Sequence, residues 1–507
     1  MIRTARNLSR LAAIAVTLAR HDALAPLEAL GVAPWLVWLV RRLARRAARE
    51  ARIGQRLAGA AVALGPGFIK LGQALSTRAD LLGTEVAEDL AMLRDRLPPF
   101  PAAEARAVIA RELGVAVDEA FATFDDVPVA AASIAQVHFA TTADGREVAV
   151  KVQRPGIEQA FRRDLDLMVW LARLIERTST RWRRLRPVES VRTFAEMVAI
   201  EMDLSLEGAA ASELGANFAD DPSFNVPAVD WQRTARRVLT TDRVPGIAID
   251  RREALIAAGH DPAELLAKAA RATFLQVFRD GFFHGDPHPG NLFVDAAGNL
   301  WVVDFGIMGR LDIATRRFLG EMLTGFLNGD YEAVADVHFR AGFVPAGRSR
   351  GAFVQALRAI GEPILGLPAN RISVGRLLGR LFQVTETFGM QTQPHLLLLQ
   401  KVMVVAEGVG RVLYPDANMW QLARPWIEDW MAAQSGLEAR LGAAAEAVGE
   451  IARRLPRIAA QAERALDRLA TGPEPEAARA RRADARIALA FALGLAAGAL
   501  VALAALD

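Results

Sequence analysis

The chain has 507 residues, 52% hydrophobic and 23% charged, enough for two or three domains with cores of their own and far from disordered, collagen-like or polytopic membrane composition. Lys and Arg number 61 against 58 Asp and Glu, so a net charge of +3 gives no global field that points to nucleic acid. With no cysteine, disulfides, zinc–thiolate sites, iron–sulfur clusters and thiol catalysis are excluded.

At the N-terminus, Arg3, Arg6 and Arg10 precede the apolar stretch Leu11–Ala19, and Ala23-Leu24-Ala25 has the outline of a cleavage site. The stretch is short for a secretory signal and Arg20, His21 and Asp22 follow at once, so it reads as an amphipathic helix with a basic face. Trp35–Val40 running into Arg41, Arg42, Arg45 and Arg46 suits an interfacial helix. Apolar residues recurring at three and four predict a largely helical region over residues 1–125, broken by Pro98, Pro99 and Pro101. The texture then changes. Ser133–Ala140 alternates apolar and polar, Asp144-Gly145 supplies a tight turn, and Glu147–Gln153 reads as the returning strand of a hairpin. Helical periodicity resumes over Gly156–Ala219, and Arg237–Thr241 is another strand. A long helix is predicted over Pro262–Asp280, then a loop, a short hairpin about Ala297-Gly298-Asn299, and helices to about Met431. A small sheet-bearing lobe before a larger helical one is an α+β layout of the bilobal protein-kinase-like kind.

Beyond the lobes, Leu437–Ala470 reads as an Arg-rich amphipathic helix and Thr471–Pro475 as a linker. Ile487–Leu506 then carries no charge over a length that would span about 30 Å as a helix. Arg479, Arg481, Arg482 and Arg486 precede it, so the positive-inside rule predicts a transmembrane anchor with the bulk of the chain on the cytoplasmic side of the membrane. Gly494 and Gly498 form a GxxxG pair suited to tail-to-tail pairing in a homodimer.

The chemistry concentrates in His284-Gly285-Asp286-Pro287-His288-Pro289-Gly290-Asn291, followed by Val302-Val303-Asp304-Phe305-Gly306. Phosphoryl transfer needs an acid beside the attacking group and oxygen ligands for Mg²⁺ at the nucleotide phosphates. Asp286 fits the first role, and Asn291 with Asp304 the second, in the order kinases use. Two other readings of the loop are a structural turn with a buried Asp and a transition-metal set of His284, Asp286 and His288. Val148-Ala149-Val150-Lys151 supplies a strand lysine for the α/β-phosphates. The loop expected over those phosphates is Ala131, Ala132, Ser133, Ile134 and Ala135, without glycine, and hence stiffer than a Gly-rich loop.

With these departures, Lys70-Leu71-Gly72-Gln73 (a KxGQ motif), Val148–Pro155 and Glu201-Met202-Asp203 (an ExD motif) make the chain resemble the UbiB family of atypical protein-kinase-like proteins. Leu399-Gln400-Lys401 and Glu407–Arg411 resemble its helical C-lobe. Glu207 occupies the family's second acidic position, although the E-A-x-N ending is reduced to Glu207-Gly208-Ala209-Ala210. The resemblance implies an ATP-binding, Mg²⁺-dependent role in ubiquinone biosynthesis at the membrane. It also implies an extension in which Lys70 and Gln73 engage Glu201 and Asp203, and a catalytic set of Asp286, Lys151 and Glu207, with one acid pairing Lys151; Glu207 is favoured for that pair, but the sequence does not decide it. Membrane lipids, polyprenyl-phenol quinone precursors and other ubiquinone-biosynthesis enzymes are the partners implied. The organisation expected is a helical extension over 1–125, a small lobe with a helical insert over 126–245, a helical C-lobe over 246–435, a basic amphipathic stretch over 436–486 and the anchor over 487–506. A small-molecule phosphotransferase and a non-catalytic nucleotide-sensing scaffold are the competing functions.

Overall fold

A computed structural model describes residues 2–23, 51–76, 82–91, 93, 98–178, 187–345, 347–363, 384, 387–390, 394–414 and 419–435. The segments Trp35–Arg46, Leu437–Ala470, Thr471–Pro475 and Ile487–Leu506, with the anchor assigned to the last, lie outside the described residues. Among the described residues no helix is long and apolar enough to cross a membrane. The chain divides into two compact units, Met1–Arg424 and Pro425–Asp507. The second is described only as far as Ser435, the end of the helix Met419–Ser435. All that follows concerns the first.

The extension begins with α1 (Ile2–Arg20), α2 (Ile53–Leu64), α3 (Pro66–Ser76) and α4 (Thr84–Ala91). Gly65, at φ +107°, turns α2 into α3, a conformation that favours glycine. Ala61 and Leu90 pack with Leu57, Phe68 and Leu75 between these helices. Next comes α5 (Ala102–Leu113), which the break at Pro98–Pro101 separates from α4.

The small-lobe sheet contains β1 (Thr123–Phe124), β2 (Ala130–Ala131), β3 (Ala135–Thr141), β4 (Glu147–Gln153) and β6 (Val238–Asp242), with the order β1-β3-β4-β6 and β2 also on β3. The predicted hairpin is β3–β4, with Val137 opposite Lys151 and Gly145 at φ +83° in the turn. Period-two alternation sends Val148, Val150 and Val152 to one face, where they share a core with Ala105, Val108 and Ile109 of α5. Lys151 therefore projects from the opposite face. Helix α5 thus covers the valine-bearing face of the sheet. Gln136 grips the strap leading into α5, accepting from the Phe100 amide (3.0 Å) and donating to its carbonyl (3.2 Å).

His138 is fully buried beside Gln136, its Nδ1 2.7 Å from the Asp125 carbonyl and its Nε2 2.9 Å from the Gln136 amide nitrogen. The network assigns Nδ1 as donor and Nε2 as acceptor, a neutral ring. Burial holds its pKa below the ordinary value, against the opposing pull of the Asp125 carbonyl. A depressed histidine contributes stability above the unfolded pKa of about 6.5 and loses it as pH falls, because the unfolded chain then binds a proton that the folded ring refuses. Unfolding free energies between pH 6.5 and 5.5 are therefore expected to fall less steeply in His138→Gln than in the wild type, by about 1 kcal/mol per pH unit. Equal slopes would show that the ring titrates normally.

The helical insert follows as α6 (Ile157–Thr178), α7 (Pro187–Glu201) and α8 (Leu204–Asn217). Ile134 and Ala135, just before and at the start of β3, pack with Phe161 of α6 and Phe194 and Val198 of α7, and with Leu71 and Ala74 of α3. Extension, loop and insert thus share one core.

In the large lobe the predicted long helix is α-helical only over α9 (Pro262–Phe274). Leu275–Asp280 widens into a π-turn that ends at Gly281, φ +65°. Arg316 donates to the Phe278 and Arg279 carbonyls at 3.1 and 2.6 Å, satisfying groups that the wider turn releases. A four-stranded sheet runs β5 (Phe224–Asn225), β10 (Leu300–Val302), β9 (Leu292–Val294), β7 (Ile247–Ala248), and β8 (Phe282–His284) pairs with β11 (Met308–Arg310). Leu214, Phe224, Leu266, Phe282, Val302 and Phe305 lie in its core. Helices α10 (Ile313–Asn328), α11 (Tyr331–Arg340) and α12 (Arg350–Gly361) build a second core about Val334 and Phe353. The last helix of the lobe, α13 (Pro394–Leu413), packs on α9 and β11.

Candidate active site

Register brings the loop acids together. Leu292 pairs with Val302 and His284 with Met308, so loop 285–291 and loop 303–307 leave neighbouring strands at one end. The Val303 amide donates to the Asn291 carbonyl (3.0 Å) and the Gly285 amide to the Ile307 carbonyl (2.8 Å). Asp286, Asn291 and Asp304 therefore share one edge. Asn291 Nδ2 donates to the Asp286 carbonyl at 3.2 Å, which leaves its side-chain oxygen available as a ligand.

His284 is buried and ties the two loops. Its Nε2 lies 3.2 Å from the Val303 carbonyl, and its Nδ1 accepts from the Asp286 amide at 3.1 Å. Both ring nitrogens are thereby used, and burial outweighs the nearby Asp304 and Asp286 charges to hold its pKa low. His288 Nδ1 accepts from the Gly290 amide at 3.0 Å. These bonds remove the transition-metal reading of His284, Asp286 and His288. Among the described residues no group of three or more His, Cys, Asp or Glu is arranged to hold a metal ion.

Lys151 reaches from β4 into the middle of this edge. Its Nζ lies 2.7 and 3.0 Å from the two Glu207 oxygens and 2.9 Å from Asp304 Oδ1. Glu207 stands on α8, which packs at Gly208 against Leu239, the strand partner of Lys151. Burial alone would lower the Lys151 pKa, but the Asp304 and Glu207 charges overcome it and raise it. Glu207 is 5% exposed, and burial pushes its carboxyl up to about 7 against the pull of Lys151. Lys151 in turn holds the Asp304 carboxyl well below the usual carboxylate range, although that side chain is 51% exposed. Asp304 itself sits at φ +68°, a left-handed conformation uncommon outside glycine and concentrated at functional sites.

The five loop residues have divergent duties. Ala131 pairs with Gln136, and the Ala132 amide closes the turn onto the Ala135 carbonyl at 2.8 Å, so that donor does not face a phosphate. Arg154 donates to the Ala132 and Pro98 carbonyls at 3.4 and 2.9 Å and pins the turn. Ile134 and Ala135 face the shared core. Ser133 is fully buried, and among the described residues its hydroxyl has no hydrogen-bond partner.

The extension meets the same site. Lys70 of α3 forms an ion pair with Glu201, the last residue of α7, and both are largely buried. Glu201 lies against the second loop, where a Cβ on Gly306 would come within 3.8 Å of it and 3.7 Å of Asp304 Oδ1. The remaining motif residues do other work. Gln73 donates to the Leu93 carbonyl at 3.3 Å, and Asp203 caps α8, accepting from the Ser205 amide at 3.1 Å. Ala210, where the family pattern has Asn, packs against the large-lobe core.

The residues fit a Mg²⁺–nucleotide. Asn291 and Asp304 would offer oxygens to the ion, Lys151 is a cation on the facing strand, and the Ser133 hydroxyl is an orphan donor on the loop. Lys401, noted in the sequence only as part of the C-lobe resemblance, received no role there. From α13 its Nζ reaches to 3.0 Å from Asp286 Oδ1, across a separation that no local pattern encodes.

Residues 92–338 match the ABC1 atypical kinase-like domain, and residues 357–418 match the UbiB helical domain. The probable protein kinase UbiB of Marinobacter nauticus is 44% identical over 409 residues, covering 80% of this chain and 73% of that protein. Its Azotobacter vinelandii counterpart is 43% identical over 411 residues, 80% of this chain and 75% of that one. Among solved structures, an Rv3197–erythromycin complex from Mycobacterium tuberculosis superposes with a TM-score of 0.51 at 28% identity, over 71% of this chain and 92% of the other. The chain belongs to the UbiB family, an ABC1 kinase-like domain joined to a UbiB helical domain.

Proposed function

We propose that the protein is an ATP-dependent, Mg²⁺-requiring atypical kinase or ATPase of ubiquinone biosynthesis, which acts on or mobilises polyprenyl-phenol lipid precursors at the cytoplasmic face of the membrane. The observation that carries the enzymatic part is Lys151 held between Glu207 and Asp304 at the open edge where Asp286 and Asn291 converge. Lys151 binds the α/β-phosphates, with Ser133 on the loop above them. Asn291 and Asp304 would hold Mg²⁺, which would supply neutralisation of phosphate charge. Asp286 orients the acceptor hydroxyl and takes its proton as the acceptor oxygen bonds to the terminal phosphorus and the bond from that phosphorus to the bridging oxygen of ADP breaks.

A lipid or water acceptor is favoured over a protein chain because the buried Lys70–Glu201 pair brings the extension against Gly306, beside Asp304. Ile487–Leu506 serves as the anchor, and Gly494 with Gly498 allows two copies to pair. The test is phosphate release from Mg²⁺–ATP by the purified full chain, with and without anionic liposomes and a phenolic quinone-precursor mimic. Stimulated turnover is expected. Tight nucleotide binding without turnover under every condition would instead favour the nucleotide-sensing scaffold.

A further inference from the structure

Resting on that reading of Mg²⁺–ATP phosphoryl transfer, the geometry points to Lys401 as the cation that the helical domain delivers to the transferred phosphoryl group, with Asp286 as its anchor. The kinase-like domain match ends at residue 338, whereas Lys401 lies within the helical domain match over 357–418. Its Nζ is nevertheless 3.0 Å from Asp286 Oδ1, at the residue proposed to orient the nucleophile.

Packing fixes this placement. Leu398 lies one turn earlier on the same face of α13, so close to Gly285 that a Cβ there would meet its Cδ1 at 3.1 Å. Val402 is buried, Val409 and Leu413 enter the large-lobe core, and Arg252 Nε donates to the Leu413 carbonyl at 3.0 Å. The ammonium is thus held where Gly285 and Asp286 turn into the loop.

Charge explains why it is needed there. The loop His284–Asn291 contains no Lys or Arg, and Lys151, held by Glu207 and Asp304, is assigned to the α/β-phosphates and not to the transferred group. An in-line transfer develops charge on the oxygens of the migrating group, close to the acid that receives the acceptor proton. Lys401 carries three N–H donors and is ion-paired with Asp286; its side chain is 27% exposed. A preorganised cation at that point is worth about 10²- to 10³-fold in turnover. The site is then complete only when both family domains are present.

The full chain is compared with Lys401→Met and Lys401→Arg for turnover and for Mg²⁺–ATP and Mg²⁺–ADP affinity by calorimetry. Lys401→Met is expected to lower kcat about 10²-fold and to weaken ATP binding severalfold while ADP binding holds within twofold, and Lys401→Arg to recover most of both. Loss of ATP and ADP affinity in parallel, or wild-type kcat in Lys401→Met, would overturn the assignment; if Lys401→Met fails to fold, a Lys401→Arg variant without ATP-over-ADP preference does the same. Should the wild type bind neither nucleotide, it is the phosphoryl-transfer reading that fails.

Discussion

Asn in place of Asp304 is expected to cut Mg²⁺–ATP turnover by about 10³-fold while leaving the fold intact. The substitution keeps an oxygen but removes the charge that faces Lys151 and the proposed ion. Stability is spared for two reasons. The Asp304 carboxylate is half exposed, so its pairing with Lys151 is worth no more than about 1 kcal/mol, and Lys151 keeps both Glu207 oxygens. The backbone at φ +68° also suits Asn, whereas Ala there would add about 1 kcal/mol of left-handed strain and blur the result. Phosphate release and thermal unfolding measured side by side decide the point. Unchanged turnover in Asp304→Asn would remove Asp304 from the metal role.

Lys151→Met is expected both to inactivate and to destabilise, by about 1–3 kcal/mol at neutral pH and by more as pH rises. Glu207 is 5% exposed and would lose its only cation among the described residues, with Asp304 still beside it. The Glu207 carboxyl already titrates at about 7 beside Lys151, so without that cation it takes up a proton at neutral pH, and the cost of burying a carboxylate appears as pH rises. The double variant Lys151→Met, Glu207→Gln is therefore expected to recover most of the lost stability and none of the turnover, a non-additivity that denaturant unfolding would read directly. Equal stability of Lys151→Met and wild type would show that Glu207 is not held by this charge.

Much of the small lobe was legible because its signals are local. Alternation over Ser133–Ala140 and Glu147–Gln153 with Asp144-Gly145 between them prescribes a hairpin, and β3 and β4 follow. The broken helix at Leu275 was not legible, because a π-turn leaves no period of its own and depends on Arg316, far along the chain, to satisfy its carbonyls. Motif reading also grouped residues that the structure separates. Lys70 does meet Glu201, but Asp203 spends its carboxylate on a helix cap, and Ile134 and Ala135 serve the core. A motif gives residue types, not the direction in which each side chain points.

By itself the sequence determined which groups the site contains: an acid, an amide and a second acid in kinase order, a strand lysine, and an extension bearing Lys70. Only the tertiary structure decided how those charges pair. Strand register placed loops 285–291 and 303–307 side by side, the packing of Gly208 on Leu239 set Glu207 at Lys151, and the fit of Leu398 against Gly285 carried Lys401 to Asp286. Local spacing is encoded by backbone periods of two and 3.6, whereas a charge pair between distant segments exists only once burial has fixed both.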